Sequence, residues 1–268
     1  MNKKLIAIVL GIALLVLFCI IGIRNLILKS SRHRLEMTVE RIDAIYEYGN
    51  IQYSQKDYDK AIRAFEIIAA EETAGEKKEE VLLKLAEMYE KKDNSIKAKE
   101  FYQKFIKDFP ASEEIVQIQS NLEEMNIDLL FSSVITENSF NYKIKPNDTL
   151  SAIAARYNTT VELLKISNNL KSDVIMPGKF LKVQKAKFGI FVDKSQNMLF
   201  LKKDEDVIKT YRVSTGADNS TPVGTFKIEE KLLSPVWYKI GAVVSPDSPE
   251  YELGTRWMGL SIDGYGIH

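Results

Sequence analysis

Nineteen consecutive uncharged residues, Leu5 to Ile23, follow Lys3 and Lys4 at the start of the chain. About 20 apolar residues cross the hydrocarbon core of a bilayer as a helix, the form that bonds every backbone group internally. A buried core helix does not need so long a run at a terminus. A cleaved leader is the rival reading, but the run is long for one and no small-x-small site follows it. Residues 1–28 are therefore expected to be an uncleaved transmembrane anchor. Cys19 lies inside the run after the bulky Leu17 and Phe18, and reads as a small apolar residue in the membrane. Charge does not settle the orientation. Arg24, Lys29, Arg32 and Arg34 beyond the run outnumber Lys3 and Lys4, which opposes an exported body under the positive-inside rule.

The remaining chain has an ordinary globular balance. Lys+Arg and Asp+Glu both total 37, so the net charge is zero and no global basic field exists to attract nucleic acid. With a single cysteine there is no intramolecular disulfide and no cysteine-based zinc site.

Residues 35–125 carry a helical, polar-faced pattern in two passes. Tyr46, Gly49, Tyr53, Tyr58, Ala61 and Phe65 form the first, and Leu82, Leu85, Tyr89, Ala98, Tyr102 and Phe105 the second. The offset from Ala61 to Ala98, about 37, is close to the 34-residue period of helix-turn-helix repeats. Asp57-Tyr58 and Asp93-Asn94 fall where the turns belong, and Phe109-Pro110 ends the second pass. The pattern resembles a pair of tetratricopeptide repeats. The aromatic stripe is expected to be mostly core, and a partner-docking role and a spacer role are both open. Residues 126–139 read as a linker with partial order.

The next unit, residues 141–184, predicts strand, helix, helix, strand. Phe140, Tyr142 and Ile144 alternate, and Asp148 is placed to cap a helix Thr149–Tyr157 with Leu150, Ile153, Ala154 and Tyr157 on one face. Thr159 and Glu162 suggest a capping box for a second short helix. Tyr-x-Ile-x-x-x-Asp-Thr-Leu, Ile-Ala-x-x-Tyr and Ile-x-Pro-Gly-x-x-Leu resemble the LysM domain. Asn147 and Asn158 stand where that family favours glycine, and both tolerate positive φ. The resemblance implies binding of N-acetylglucosamine-containing glycans between two loops, with Asn147, Asp148, Thr149, Asn168 and Pro177 as candidate contacts. Taken singly, Asp148 as a cap and Asn168 as a turn are the simpler readings.

Residues 187–268 predict short strands with tight turns. Thr221-Pro222-Val223-Gly224-Thr225-Phe226, Pro235-x-Trp237, Leu253-Gly254-x-Arg256-x-Met258 and Gly264-Tyr265-Gly266-Ile267-His268 occur in that order. Together they resemble the L,D-transpeptidase catalytic domain of the YkuD family, which joins diaminopimelate-containing stem peptides of peptidoglycan through a cysteine acyl-enzyme. The resemblance makes His268 the general base, since an imidazole titrates near neutrality and can take a thiol proton. It implies no metal or organic cofactor. The family's Ser-His-Gly-Cys motif is not found after His268, and Cys19 cannot replace it. The expected catalytic domain is thus incomplete, the chain alone inactive, and a fragment of a longer protein favoured, because half a sheet domain leaves open edges.

The expected fold class is multidomain α+β: a transmembrane helix, α-helical repeat hairpins, a small βααβ domain and a mostly-β domain. The expected partners are peptidoglycan glycan and stem peptides, the membrane, and a candidate protein partner at the helical repeats. The expected location is the cell membrane with the bulk of the chain at the cell wall. A non-catalytic, membrane-anchored, peptidoglycan-binding scaffold is the alternative.

Overall fold

The computed structural model describes residues 24, 28–29, 38–239 and 242–268. Among the described residues no helix is long and apolar enough to cross a membrane. The expected anchor at 1–28 and Cys19 lie outside them, save for Arg24 and Leu28. By packing, the chain divides into two units, one running to Gly189 with Leu201–Lys209, the other Ile190–Phe200 with Thr210–His268.

The first unit begins with five helices: α1 (38–54), α2 (Tyr58–Ala70), α3 (Glu76–Lys91), α4 (Ser95–Asp108) and α5 (Ile115–Phe131). Both hairpin turns use one device. Lys56 and Asp93 take left-handed backbone, and Asp57 and Asn94 then cap α2 and α4 through their side chains. Asp43, Tyr46, Asn50 and Tyr53 of α1 bond Lys77, Glu80, Lys84 and Glu87 of α3, each pair 34 residues apart. A constant offset, rather than a constant sum, means that α1 and α3 run parallel in register. The spacing of the four places them on one face of α1. Behind this ladder Phe65, Ile68, Leu82, Leu85, Met88 and Phe105 are fully buried. Each such side chain contributes about 1.5–3 kcal/mol by leaving water. Gly49 lets α1 approach α2, because a Cβ there would sit 2.4 Å from the Phe65 ring. The aromatic stripe is therefore core and ladder, as expected.

The βααβ unit follows as β1 (Ser139–Lys143), α6 (Leu150–Tyr157), α7 (Val161–Ser167) and β2 (Phe180–Gln184). The two strands pair antiparallel, Ser139 opposite Gln184 and Lys143 opposite Phe180. Tyr142, Ile144, Leu150, Ile153, Leu164, Leu181 and Val183 form its core. The caps differ from expectation by one residue each. Thr149, not Asp148, caps α6 by accepting from the Ala152 N–H, and Thr160, not Thr159, caps α7 by accepting from the Leu163 N–H. In each case the extended residue just before the first helical turn aims its oxygen at the free N–H groups. Asn147 and Asn158 adopt positive φ, 68° and 52°, as their sequence context predicts.

The expected linker is instead ordered. α5 continues to Phe131, and Ser132, Thr136 and Ser139 bond one another's backbones or neighbours up to β1. The reason is Lys182 on β2. This lysine is 3% exposed, and its amine donates to the carbonyls of Leu129 at 2.6 Å and Ser132 at 2.8 Å. It thereby satisfies acceptors that the end of α5 leaves open.

After β2 come β3 (Phe188–Asp193), β4 (Met198–Lys203) and β5 (Asp206–Arg212), a three-stranded sheet in chain order. A second sheet has the order β10-β9-β6, from β6 (Ile228–Leu233), β9 (Arg256–Leu260) and β10 (Gly266–Ile267), all antiparallel. The strands β7 (Trp237–Lys239) and β8 (Ala242–Val244) pair as a separate ribbon. The fold is thus a helical repeat region followed by a mostly-β portion. One detail departs from a half-buried alternation: β6 is solvent-exposed along its whole length, although it pairs with β9.

Candidate functional site

Two groups of candidate residues lie in separate places. The five glycan candidates belong to the βααβ unit, and His268 belongs to the β10-β9-β6 sheet.

In the βααβ unit three candidates are already engaged. The Asp148 carboxylate, with a side chain only 7% exposed, accepts from the Tyr142 hydroxyl at 2.7 Å and the Lys145 N–H at 2.8 Å. These bonds, the backbone one first, hold its carboxyl below the usual range, and the same contact raises the Tyr142 phenol. Arg156 donates to the Tyr142 oxygen at 2.9 Å and completes the triad. Thr149 is the α6 cap. Asn168 zips α7 to β2: its amide donates to the carbonyls of Leu164 and Lys182, and its oxygen accepts from the Lys182 N–H. These residues shape the two loops. Asn147 and Pro177 are exposed at the loop tips, and among the described residues no side-chain hydrogen bond of Asn147 is found. The Asn168 zipper is not legible in the sequence, because Lys182 lies 14 residues on and on another element.

His268 ends the β10 side of the sheet. The pairing sets Gly266 opposite Gly259 and Ile267 opposite Met258. The next step along that ladder sets His268 beside Trp257. Their rings stack at a centroid distance of 5.9 Å and an interplanar angle of 25°. A Cβ at Gly266 would lie 2.4 Å from the indole, and one at Gly259 would lie 3.1 Å from its nitrogen. The turn between β9 and β10 closes with the Leu260 N–H on the Tyr265 carbonyl, 2.9 Å, and left-handed Gly264, φ 81°. Trp257 stands at an unspecified position of its sequence motif. The signal was the alternation Trp257/Gly259 facing Gly266/His268, which needs the register to be read.

The loop before β6 is pinned from the β3–β4 turn. The Lys194 amine donates to the Thr221 and Asn219 carbonyls, the Gly216 N–H donates to the Thr221 hydroxyl at 2.7 Å, and the Val213 N–H to the Asn197 carbonyl at 2.9 Å. In the helical region a cavity of about 410 Å³ is lined by Glu90, Asp93, Asn121, Glu124 and Asp128, among others.

Comparison with known proteins joins these parts. Residues 142–184 match the LysM domain, residues 187–268 match the L,D-transpeptidase catalytic domain of the YkuD family, and residues 43–71 and 80–112 match the tetratricopeptide repeat. The chain carries all three modules. The cell wall-binding protein YocH of Bacillus subtilis is 48% identical over 56 residues, 21% of this chain and 20% of that protein. The peptidoglycan endopeptidase LytE of B. subtilis is 56% identical over 43 residues, 16% of this chain and 13% of that protein. A Bacillus licheniformis protein named as an L,D-transpeptidase, YkuD, is 28% identical over 136 residues, 47% of this chain and 73% of that protein. The chain therefore spans only about a fifth of YocH and about an eighth of LytE.

Proposed function

We propose that this protein works on peptidoglycan at the cell wall, held there by its LysM domain and, at residues 1–28, by a membrane anchor. The LysM loops around Asn147 and Pro177 take the N-acetylglucosamine-containing glycan. Asp148, Thr149 and Asn168 hold those loops in shape. The YkuD-type domain belongs to L,D-transpeptidase chemistry, in which His268 is the general base. The imidazole takes the proton of a cysteine thiol, and the thiolate attacks the carbonyl of a diaminopimelate-containing stem peptide. The imidazolium then gives that proton to the departing amine, and a second amine resolves the acyl-enzyme. The observation that carries this reading is the occurrence of both matched modules in one chain, with His268 directly after a strand that pairs with a second motif strand.

The only cysteine in these 268 residues is Cys19. These residues by themselves are therefore expected to form no acyl-enzyme; a second reading is a peptidoglycan-binding scaffold without catalysis. Two measurements separate the readings. The chain should pellet with purified peptidoglycan and lose this on an Asn147/Pro177 double replacement that leaves the fold intact; unchanged pelleting counts against the LysM assignment. The reading frame beyond the His268 codon, translated and incubated with a carbapenem, should give a covalent adduct that His268→Ala abolishes. A stop codon there, or no adduct, supports the scaffold.

A further inference from the structure

We infer that Trp257 is the positioning residue for His268, its indole fixing the plane of the imidazole within a slot made by Gly259 and Gly266. The inference rests on the reading of His268 as a general base and names what aims it.

The need for such a device follows from the position of His268. Its side chain turns about two torsions, and a neighbour must hold them for the ring to keep one plane. A base must meet its proton in a narrow range of distance and angle, and poor aim costs rate steeply. Trp257 supplies the restraint. On an antiparallel pair, residues directly opposite project to the same face, and alternate residues share it. Trp257 and Gly259 thus face with Gly266 and His268. The two glycines are opposite each other. With no side chains there, the indole lies against the pair, close enough that a Cβ on Gly266 would overlap its six-membered ring. The indole then meets the imidazole at 5.9 Å and 25°, an offset stack. On the far side Leu232 of β6 stands opposite Trp257. The indole therefore has a neighbour across each strand. This accounts for Trp257, Gly259 and Gly266 at once, none of which can carry out the proton transfer.

The test uses the whole chain in detergent, labelled at histidine. It contains only His33 and His268, and His33→Gln assigns the signals. In the native chain the His268 ring protons should resonate upfield of those of His33, shifted by the indole ring current, with an Overhauser contact to the indole. Trp257→Leu should return them to the His33 position, and Trp257→Phe should keep part of the shift. Gly266→Ala should also abolish the shift while retaining Trp257, because the new methyl displaces the indole. Methyl signals of Met258 and Ile267 report whether each variant keeps the sheet. Coincident His33 and His268 signals in the native chain, or no indole contact, overturn the inference without any variant. An unmoved His268 in a folded Trp257→Leu chain overturns it as well. The shift is read without any acylation, so failure of the catalytic reading would leave the positioning result in place.

Discussion

Lys182→Met keeps the buried aliphatic stem of the lysine and deletes only its amine. At neutral pH the variant leaves the Leu129 and Ser132 carbonyls without their donor. A buried acceptor left unsatisfied costs about 1–3 kcal/mol. Against this stands the cost of burying a cation. Burial, with Lys203 nearby, pushes Lys182 from its ordinary 10.5 down to about 8. In the unfolded chain the amine keeps the ordinary value. Between those two limits the unfolded state holds a proton that the folded state has released, so folding stability rises with pH. It is fully gained above the unfolded value and lost as pH falls towards the folded one. From about pH 7.5 to about pH 9.5 the gain is roughly 2 kcal/mol, at about 1.36 kcal/mol per pH unit where the difference is complete. The neutral amine still donates to both carbonyls, so no bond is lost on the way. Tyr89 and Tyr102, pushed up to about 12 by burial and by Glu66 and Glu90, lose stability only above their ordinary 10.0 and stay outside this window. Lys99 is also lowered by burial, but it is common to both proteins and cancels in the comparison. Urea denaturation at the two pH values, followed by helix circular dichroism, reads the difference between native chain and variant. If that difference stays constant within about 0.5 kcal/mol, the buried-amine account of the α5 junction is wrong.

Gly49→Ala should destabilise the helical repeats by about 1–3 kcal/mol, since the methyl would overlap the Phe65 ring; an unchanged melting transition would contradict the packing. Asn168→Ala removes two hydrogen bonds to β2 and one back to α7, and should cost the LysM domain about 2–4 kcal/mol, measured by amide exchange. Asn147→Gly should leave that stability unchanged or slightly higher, because glycine accepts φ 68° without strain, while glycan pelleting weakens. Thr149→Ala and Thr160→Ala should each cost about 1 kcal/mol as lost helix caps, visible in the same exchange data.

Much of the helical half was legible because its signals are local. Left-handed Lys56 and Asp93, the caps Asp57 and Asn94, and the stop at Phe109-Pro110 each act within one turn of chain. Cap assignments at Asp148 and Thr159 missed by one residue for a physical reason. Two adjacent polar residues can both reach the free N–H groups of a helix start, and the extended residue immediately before the first turn, Thr149 or Thr160, is the one that bonds them. Asp148 was taken by the Tyr142 hydroxyl, which freed Thr149 to cap. The linker reading failed because nothing near residues 126–139 announces Lys182, 53 positions beyond Leu129.

Short-range periodicity, turn residues and ordered motifs were enough to lay out the helices, the βααβ unit, the strands and the place of His268 along the chain. Pairing across strands and burial of a lysine beneath a helix end depend on groups far apart in sequence, whose energies exist only once the chain is folded. Tertiary structure therefore decided which polar residues hold loops, which remain open to a ligand, and what lies against the His268 ring.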